Sequence, residues 1–346
     1  MKFETQVPHV EVIQVLTAEK MHQVTDWGVQ FLASDELHGR SKGANSAIFI
    51  LDTGGNTDHP DLVDRLNKDV CVNFSDSMDL EDHDGHATHC AGIACASDDE
   101  LGVVGVSPKS MLVMVKVLNN IGNGFYSWAA KGVRHAADCE LPEHIKHRVI
   151  SLSLSGPVPD QGLEDAINYA IGKGCFIVAA AGNAGYIDED TIGYPGKYPQ
   201  VITVASITRE GIPSDFSSGG EEIDVAAPGS DVYSTHLNGG YASLDGTSMA
   251  APHISGLIAL LAEIWPSLDT QSKMEAYLKE ISEDVYTTGD DVRTGAGVPR
   301  LLTPQEATER ALTRKDKRKA GKEQRRNDRR HQKGGLFGFL RKLKRK

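Results

Sequence analysis

A chain of 346 residues that is 40% hydrophobic and 24% charged can bury a core and has room for one large domain or two ordinary ones. Its five cysteines, an odd number without a dense framework, exclude a disulfide scaffold and read as reduced thiols of a cytoplasmic, intracellular protein. The net charge of −12 hides an asymmetry: of 36 basic and 48 acidic residues, 16 and 3 lie in 313–346, so the tail carries +13 and the rest −25.

Residues 1–24 carry scattered branched side chains (Val7, Val10, Val12, Ile13, Val15) interrupted by Pro8, and read as an extended arm with one short strand. The first residues hold an early acid and no apolar h-region, unlike a secretory signal. From Ser46 onward, short apolar runs at 46–53, 111–118, 149–154, 175–182 and 201–207 suit strands buried on both faces. Helix-compatible stretches at 87–96, 128–139 and 163–171 fall between them. That alternation predicts an α/β fold, a mostly parallel central sheet flanked by helices. Residues 248–265 form a long stretch apolar on nearly every side, which fits a central core helix. Its longest apolar run, 254–265, is shorter than the ~20 residues a membrane span needs. An amphipathic helix follows at 271–281. The chain divides into an extension at 1–24, a catalytic body at 25–312 and a basic tail at 313–346. The tail is too charged to bury a core and is read as disordered.

Three separated motifs point to one chemistry. Ile50-Leu51-Asp52-Thr53-Gly54 places an acid where a buried strand runs out. Asp84-Gly85-His86-Ala87-Thr88-His89 places a histidine at a helix start, and Gly246-Thr247-Ser248-Met249-Ala250-Ala251-Pro252-His253 places a serine at the head of the apolar helix. A serine hydroxyl needs a base to take its proton, and the imidazole needs a buried carboxylate to fix its tautomer. The order Asp…His…Ser is one of the chain orders in which this triad occurs. Ala180-Ala181-Gly182-Asn183 supplies a candidate amide donor for an oxyanion. His59, His83, His89 and His253 read as capping or packing residues, and Cys90 as a small buried hydrophobe.

With these motifs in this order, the chain resembles the subtilisin-like (subtilase) serine proteases, over about residues 27–302. HPDL at 59–62, LGVVGVSP at 101–108, GYPGKYPQVITVAS at 193–206 and DVAAPG at 224–229 add to the resemblance. It implies a three-layer subtilisin-like fold and an endopeptidase that hydrolyses proteins or peptides through an acyl-enzyme. Asp52 would orient, His86 act as base and then acid, Ser248 attack, and Asn183 donate to the oxyanion, with Thr247 beside it. Ser153, Leu154, Ser155 and Gly156 would pair with an extended substrate. With Ala180, Ala181, Gly182 and Gly193 they would wall the primary specificity pocket. Two departures stand out. Ala87 replaces the family's glycine after the histidine, and Ser155 replaces the glycine of Ser-Leu-Gly.

The resemblance also implies structural calcium, held by side-chain oxygens of Gln23, Asp61 and Asp99 and by carbonyls of Ser97, Leu101 and Val103. The short N-terminal stretch resembles the extension of the intracellular subtilisins, which crosses and blocks the active site. Gln6-Val7-Pro8-His9-Val10 keeps only the proline and branched residue of their pattern. The basic tail, hinged at Gly334-Gly335, suits an acidic partner, nucleic acid or an anionic membrane surface. Two competing readings are a calcium-binding protein without turnover and a tail-directed assembly factor.

Overall fold

The computed structural model describes residues 22–32, 37–55, 58–187 and 189–301, and the backbone of two N-terminal strands. The basic tail lies outside the described residues, so the expectations for it are not carried further. In chain order the strands are β1 (Glu4–Gln6), β2 (Glu11–Leu16), β3 (Val24–Thr25), β4 (Ser46–Asp52), β5 (Val72–Asn73), β6 (Val103–Val104), β7 (Met111–Lys116), β8 (Asn123–Phe125), β9 (His147–Leu152), β10 (Cys175–Ala180), β11 (Ile202–Ile207), β12 (Val225–Pro228), β13 (Val232–Thr235), β14 (Tyr241–Asp245), β15 (Ser282–Glu283) and β16 (Val298–Pro299). The helices are α1 (Trp27–Phe31), α2 (Pro60–Val63), α3 (His86–Cys95), α4 (Tyr126–Asp138), α5 (Gln161–Gly172), α6 (Thr247–Ile264) and α7 (Gln271–Ile281).

Seven strands form one sheet in the order β12-β11-β10-β9-β4-β7-β5, with every neighbouring pair parallel. All seven residues of β4 are buried, and the period of two divides them between the faces. Ile48 and Ile50 join the layer that holds α3, α6 and α7. Ala47, Phe49 and Leu51 join the layer of α4 and α5. Strand β10 is split the same way, with Phe176 and Val178 on one side and Ile177 and Ala179 on the other. Each such large side chain contributes roughly 1.5–3 kcal/mol by its burial. The result is the three-layer α/β arrangement expected from the alternating runs.

Helix α6 runs through the larger core, and its residues from Thr247 to Ala262 are buried. It is long and apolar enough to meet the length and composition test for a membrane span, but the protein's own sheet and helices cover it. The N-terminal segment differs from the single strand expected. Strand β1 pairs antiparallel with β8, and β2 pairs antiparallel with β14. Strand β3 pairs parallel with β6.

Candidate active site

The carboxyl ends of the central strands carry the site, as the topology of an open parallel sheet favours. Asp52 is the last residue of β4, and His86 is the first of α3. The Asp52 Oδ1 atom lies 2.7 Å from His86 Nδ1, and both residues are buried. The Thr53 N–H also donates to Asp52 Oδ1, at 2.7 Å. Burial works to lower the imidazole's pKa. The charge of Asp52, its hydrogen bond and the charges of Asp84 and Asp82 outweigh that, so it sits above the ordinary value. His86 Nε2 is buried and has no hydrogen-bond partner among the described residues.

Two residues that the sequence reading passed over hold this pair together. Asp82 accepts from the N–H groups of Gly85 at 2.9 Å and Thr88 at 2.9 Å, and from the Thr88 hydroxyl at 2.6 Å. It thus caps α3 from outside the helix. Thr53 donates to Asp82 at 2.9 Å and accepts from Ala87 N–H at 3.1 Å. Gly85 has φ +96°, and a Cβ there would meet the His236 ring at 2.4 Å. Ala87, where the family has glycine, lies inside the helix and is fully buried, so the methyl group needs no special backbone.

Ser248 is the second residue of α6. Its hydroxyl donates to the Ser153 carbonyl at 3.4 Å, and no other described residue bonds His86 Nε2. The Ser248 carbonyl is itself displaced from ordinary helical bonding. Pro252 stands four residues on and has no N–H to give it. The freed oxygen instead accepts from Ser153 Oγ at 2.9 Å and from the Cys90 thiol at 3.2 Å. Cys90 Sγ lies within 4.8 Å of ligating atoms of Asp52 and His86, so the serine's first turn and the Asp–His pair adjoin. Burial drives the Cys90 thiol's pKa well up, which keeps it protonated and able to donate.

Asn183 is oriented by Thr247, whose N–H and hydroxyl both donate to Asn183 Oδ1, at 2.9 and 2.8 Å. Thr247 Oγ1 accepts from Gly182 N–H at 3.1 Å. This places the Asn183 amide nitrogen against Gly246, at the turn into Ser248.

The predicted pocket residues also converge. Gly193 N–H donates to the Ala181 carbonyl at 3.0 Å, and Gly156 and Tyr194 exchange two backbone bonds of 2.8 Å. Ser153 to Gly156, Ala180 to Gly182 and Gly193 thus lie on adjoining segments. Gly156 rests on Tyr126, which directly follows β8. Strand β8 therefore leads directly into a residue that packs on this segment, a neighbour the sequence reading did not identify. Along it lies β1, with Glu4 opposite Phe125 and Gln6 opposite Asn123. Strand β2 begins with Glu11 opposite Asp245, three residues before Ser248. Residues 7–10, which include Pro8, lie outside the described residues.

The six residues assigned to calcium also come together. Gln23 Nε2 reaches the carbonyls of Ser97 at 2.8 Å and Leu101 at 3.3 Å. Val103 N–H and the Tyr241 hydroxyl donate to the buried Asp61 carboxylate. Burial raises the Asp61 carboxyl to about 6, and the charge of Asp99 adds to that shift. Of the four histidines read as capping or packing residues, His59, His89 and His253 are buried and His83 is exposed. His89 Nε2 sits between the carbonyls of Val232 and Ala242, and burial lowers its pKa to about 3. His253 bonds the Met249 carbonyl, with its pKa lowered by burial to about 4. His59 caps α2, and exposed His83 pairs with Asp79.

The model of the subtilase family matches residues 43–297. An intracellular serine protease of Paenibacillus polymyxa is 36% identical over 261 residues, 74% of this chain and 78% of that protein. Thermitase of Thermoactinomyces vulgaris is 39% identical over 264 residues, 76% and 90%. The major intracellular serine protease of Bacillus subtilis (strain 168) is 34% identical over 315 residues, 88% and 95%. Among solved structures, Sphericase superposes with a TM-score of 0.72 at 37% identity, covering 80% of this chain and 98% of its own.

Proposed function

The chain belongs to the subtilase family of serine proteases, and on that premise we propose how its own residues cleave a peptide bond. Ser248 Oγ turns about its Cα–Cβ bond from the Ser153 carbonyl toward His86 Nε2 and passes its proton there as it attacks the substrate carbonyl. Asp52 keeps its charge, holds the imidazole by Nδ1 and stabilises the imidazolium. The tetrahedral oxyanion takes hydrogen bonds from the Asn183 amide and the Ser248 N–H. His86 then gives its proton to the leaving amine, which breaks the peptide bond and leaves an acyl-enzyme. Water, activated by the same base, hydrolyses it.

The observation that carries this reading is the buried 2.7 Å Asp52–His86 contact, with the far ring nitrogen unpaired among the described residues and beside the turn of Ser248. An active-site-directed fluorophosphonate tests it. The reagent is expected to label the full chain at Ser248 and to leave Ser248→Ala unlabelled. A wild-type chain that resists labelling both as purified and after trimming of its first 20 residues would falsify the reading.

The same reading makes the N-terminal arm an inhibitor. Backbone pairing of β1 with β8 and of β2 with β14 supports it, because both strands occupy places where an extended peptide would add. Calcium fits the 97–103 loop. The carboxylates of Asp61 and Asp99 and the carbonyls of Ser97, Leu101 and Val103 would supply hard oxygens, Gln23 would join them by turning its amide so that Oε1 replaces the Nε2 that now bonds Ser97 and Leu101, and a divalent cation would neutralise a buried carboxylate already raised by burial. Its contribution is to stability, with no part in the proton transfers. The names of two relatives and the five free cysteines support a cytoplasmic site of action.

A further inference from the structure

Ser155 stands where the family's pattern has glycine, and its side chain enters the slot between the pocket walls. A Cβ built on Gly193 would lie 1.8 Å from Ser155 Oγ, so the hydroxyl rests directly on the glycine's backbone. A Cβ on Gly182, from the other wall, would lie 3.3 Å from the same oxygen. The two glycines leave open space on facing segments, and Ser155 fills part of it. Gly182 has φ +110°, so a side chain there would be strained as well as crowded. Ser155 and Gly193 are both half-buried, so the slot is reached from solvent.

We propose that Ser155 is a specificity-determining residue that makes the primary pocket shallow, so that the protein cleaves after small residues such as alanine and turns away aromatic and long aliphatic ones. The inference rests on the protease reading above. A side chain reaching past the Cβ would have to displace an oxygen held between two backbone walls. Overpacking of one or two heavy atoms in a closely walled pocket discriminates by roughly 10–200-fold. The discrimination depends on the position of one hydroxyl and needs no charge in the pocket.

The test compares tetrapeptide p-nitroanilides identical at the other subsites and carrying Ala, Leu or Phe at the cleaved position. The quantity read is the ratio of kcat/KM values for two substrates in competition. That ratio does not depend on what fraction of molecules the arm blocks, so the full chain serves. The wild type is expected to favour Ala over Phe by at least about tenfold, and Ser155→Gly to lower that ratio by at least about tenfold. Ser155→Ala, which keeps the Cβ and removes the oxygen, is expected to fall between them. Fluorophosphonate labelling of Ser248 in each variant reports an intact site. Labelled enzyme that prefers Phe, or a labelled Ser155→Gly with the wild-type ratio, overturns the inference and leaves the protease reading standing. Failure of the wild type to label, both as purified and after trimming of its first 20 residues, removes both.

Discussion

Thr53 donates its hydroxyl to Asp82 across 2.9 Å, and this bond joins the end of the central strand to the start of the helix that carries His86. The two residues adjoin the Asp–His pair without being part of the chemistry. Between them they fix the backbone on both sides of it.

Replacing Asp82 by alanine therefore removes the acceptor for the Gly85 and Thr88 N–H groups and for two hydroxyls. Hydrogen bonds to a charged acceptor contribute about 1.5–3 kcal/mol each, so a loss of roughly 3 kcal/mol of stability is expected. Because the damage falls on the orientation of His86, kcat is expected to fall more than KM rises. Urea unfolding and steady-state kinetics on Asp82→Ala and Asp82→Asn measure the two effects. An Asp82→Ala protein with wild-type kcat would remove Asp82 from the positioning role.

The acid limb of the pH–rate profile reports the base. His86 must be neutral to take the serine's proton, and the charge of Asp84 helps hold its pKa up. Asp84→Asn removes that charge. The neutral imidazole then persists to lower pH, so the acid limb of kcat/KM is expected to move to lower pH. Added salt weakens an exposed charge, so the shift is expected to shrink at high ionic strength. A limb that stays in place or moves upward contradicts the assignment.

Two buried histidines make the fold sensitive to acid. His89 and His253 are held neutral, with pKa values lowered to about 3 and about 4. The unfolded chain binds protons at both near the ordinary value of about 6.5. The stability they contribute is present above that value and is lost as pH falls toward the folded values, at about 1.4 kcal/mol per group per pH unit. Asp26 and Asp224, raised to about 6 by burial, run the other way. Their contribution is present below the unfolded carboxylate value and is lost as pH rises through about 6. The discriminating measurement is therefore the slope of stability between pH 6 and 5 on a Ser248→Ala background, with and without His89→Asn. The slope is expected to flatten with the replacement, and an unchanged slope counts against the buried neutral assignment.

How far all this was legible in the sequence depends on the kind of force involved. Strands β4, β7, β9, β10 and β11 are long and buried on both faces, and their apolar runs show it. Strand β5 is two residues long and β12 ends in Pro228, so neither carries a period to read. The arm strand β1, Glu-Thr-Gln, is held through backbone pairing, which leaves no mark in side-chain pattern. Asp52, His86 and Ser248 were legible because the reaction restricts their residue types. Asp82 was not, because a carboxylate four residues before a histidine becomes a cap only when the loop folds back. Pro252 stood within a recognised motif, yet its effect on the Ser248 carbonyl needed the helix register to be seen.

Removing the arm is expected to raise activity. Deleting residues 2–20 frees β8 and β14 for an extended substrate, and peptide hydrolysis is expected to rise by at least about tenfold, equivalent to 1.4 kcal/mol of displaced competition. A shortened protein with the full chain's rate would show that the arm only decorates the surface.

Chelation is expected to lower thermal stability. For a cation held at a thousandfold excess over its Kd, the linkage contribution is about 4 kcal/mol, or roughly 10 °C in Tm. Calorimetry on Ser248→Ala, with calcium and with a chelator, measures it without self-digestion. Asp99→Ala is expected to abolish the difference, and a calcium response that survives in Asp99→Ala places the ion elsewhere.

Strand β2 also has a consequence for the protein after processing. It is the outer neighbour of β14, whose other side is already taken by β13. A molecule that sheds its first residues to become active exposes a row of unpaired amides and carbonyls on the very hairpin that leads to its nucleophile. Such a row is a template for another chain. If the arm inhibits as proposed, activation and self-association would be two outcomes of one cut, and a rising protein concentration would set them in competition.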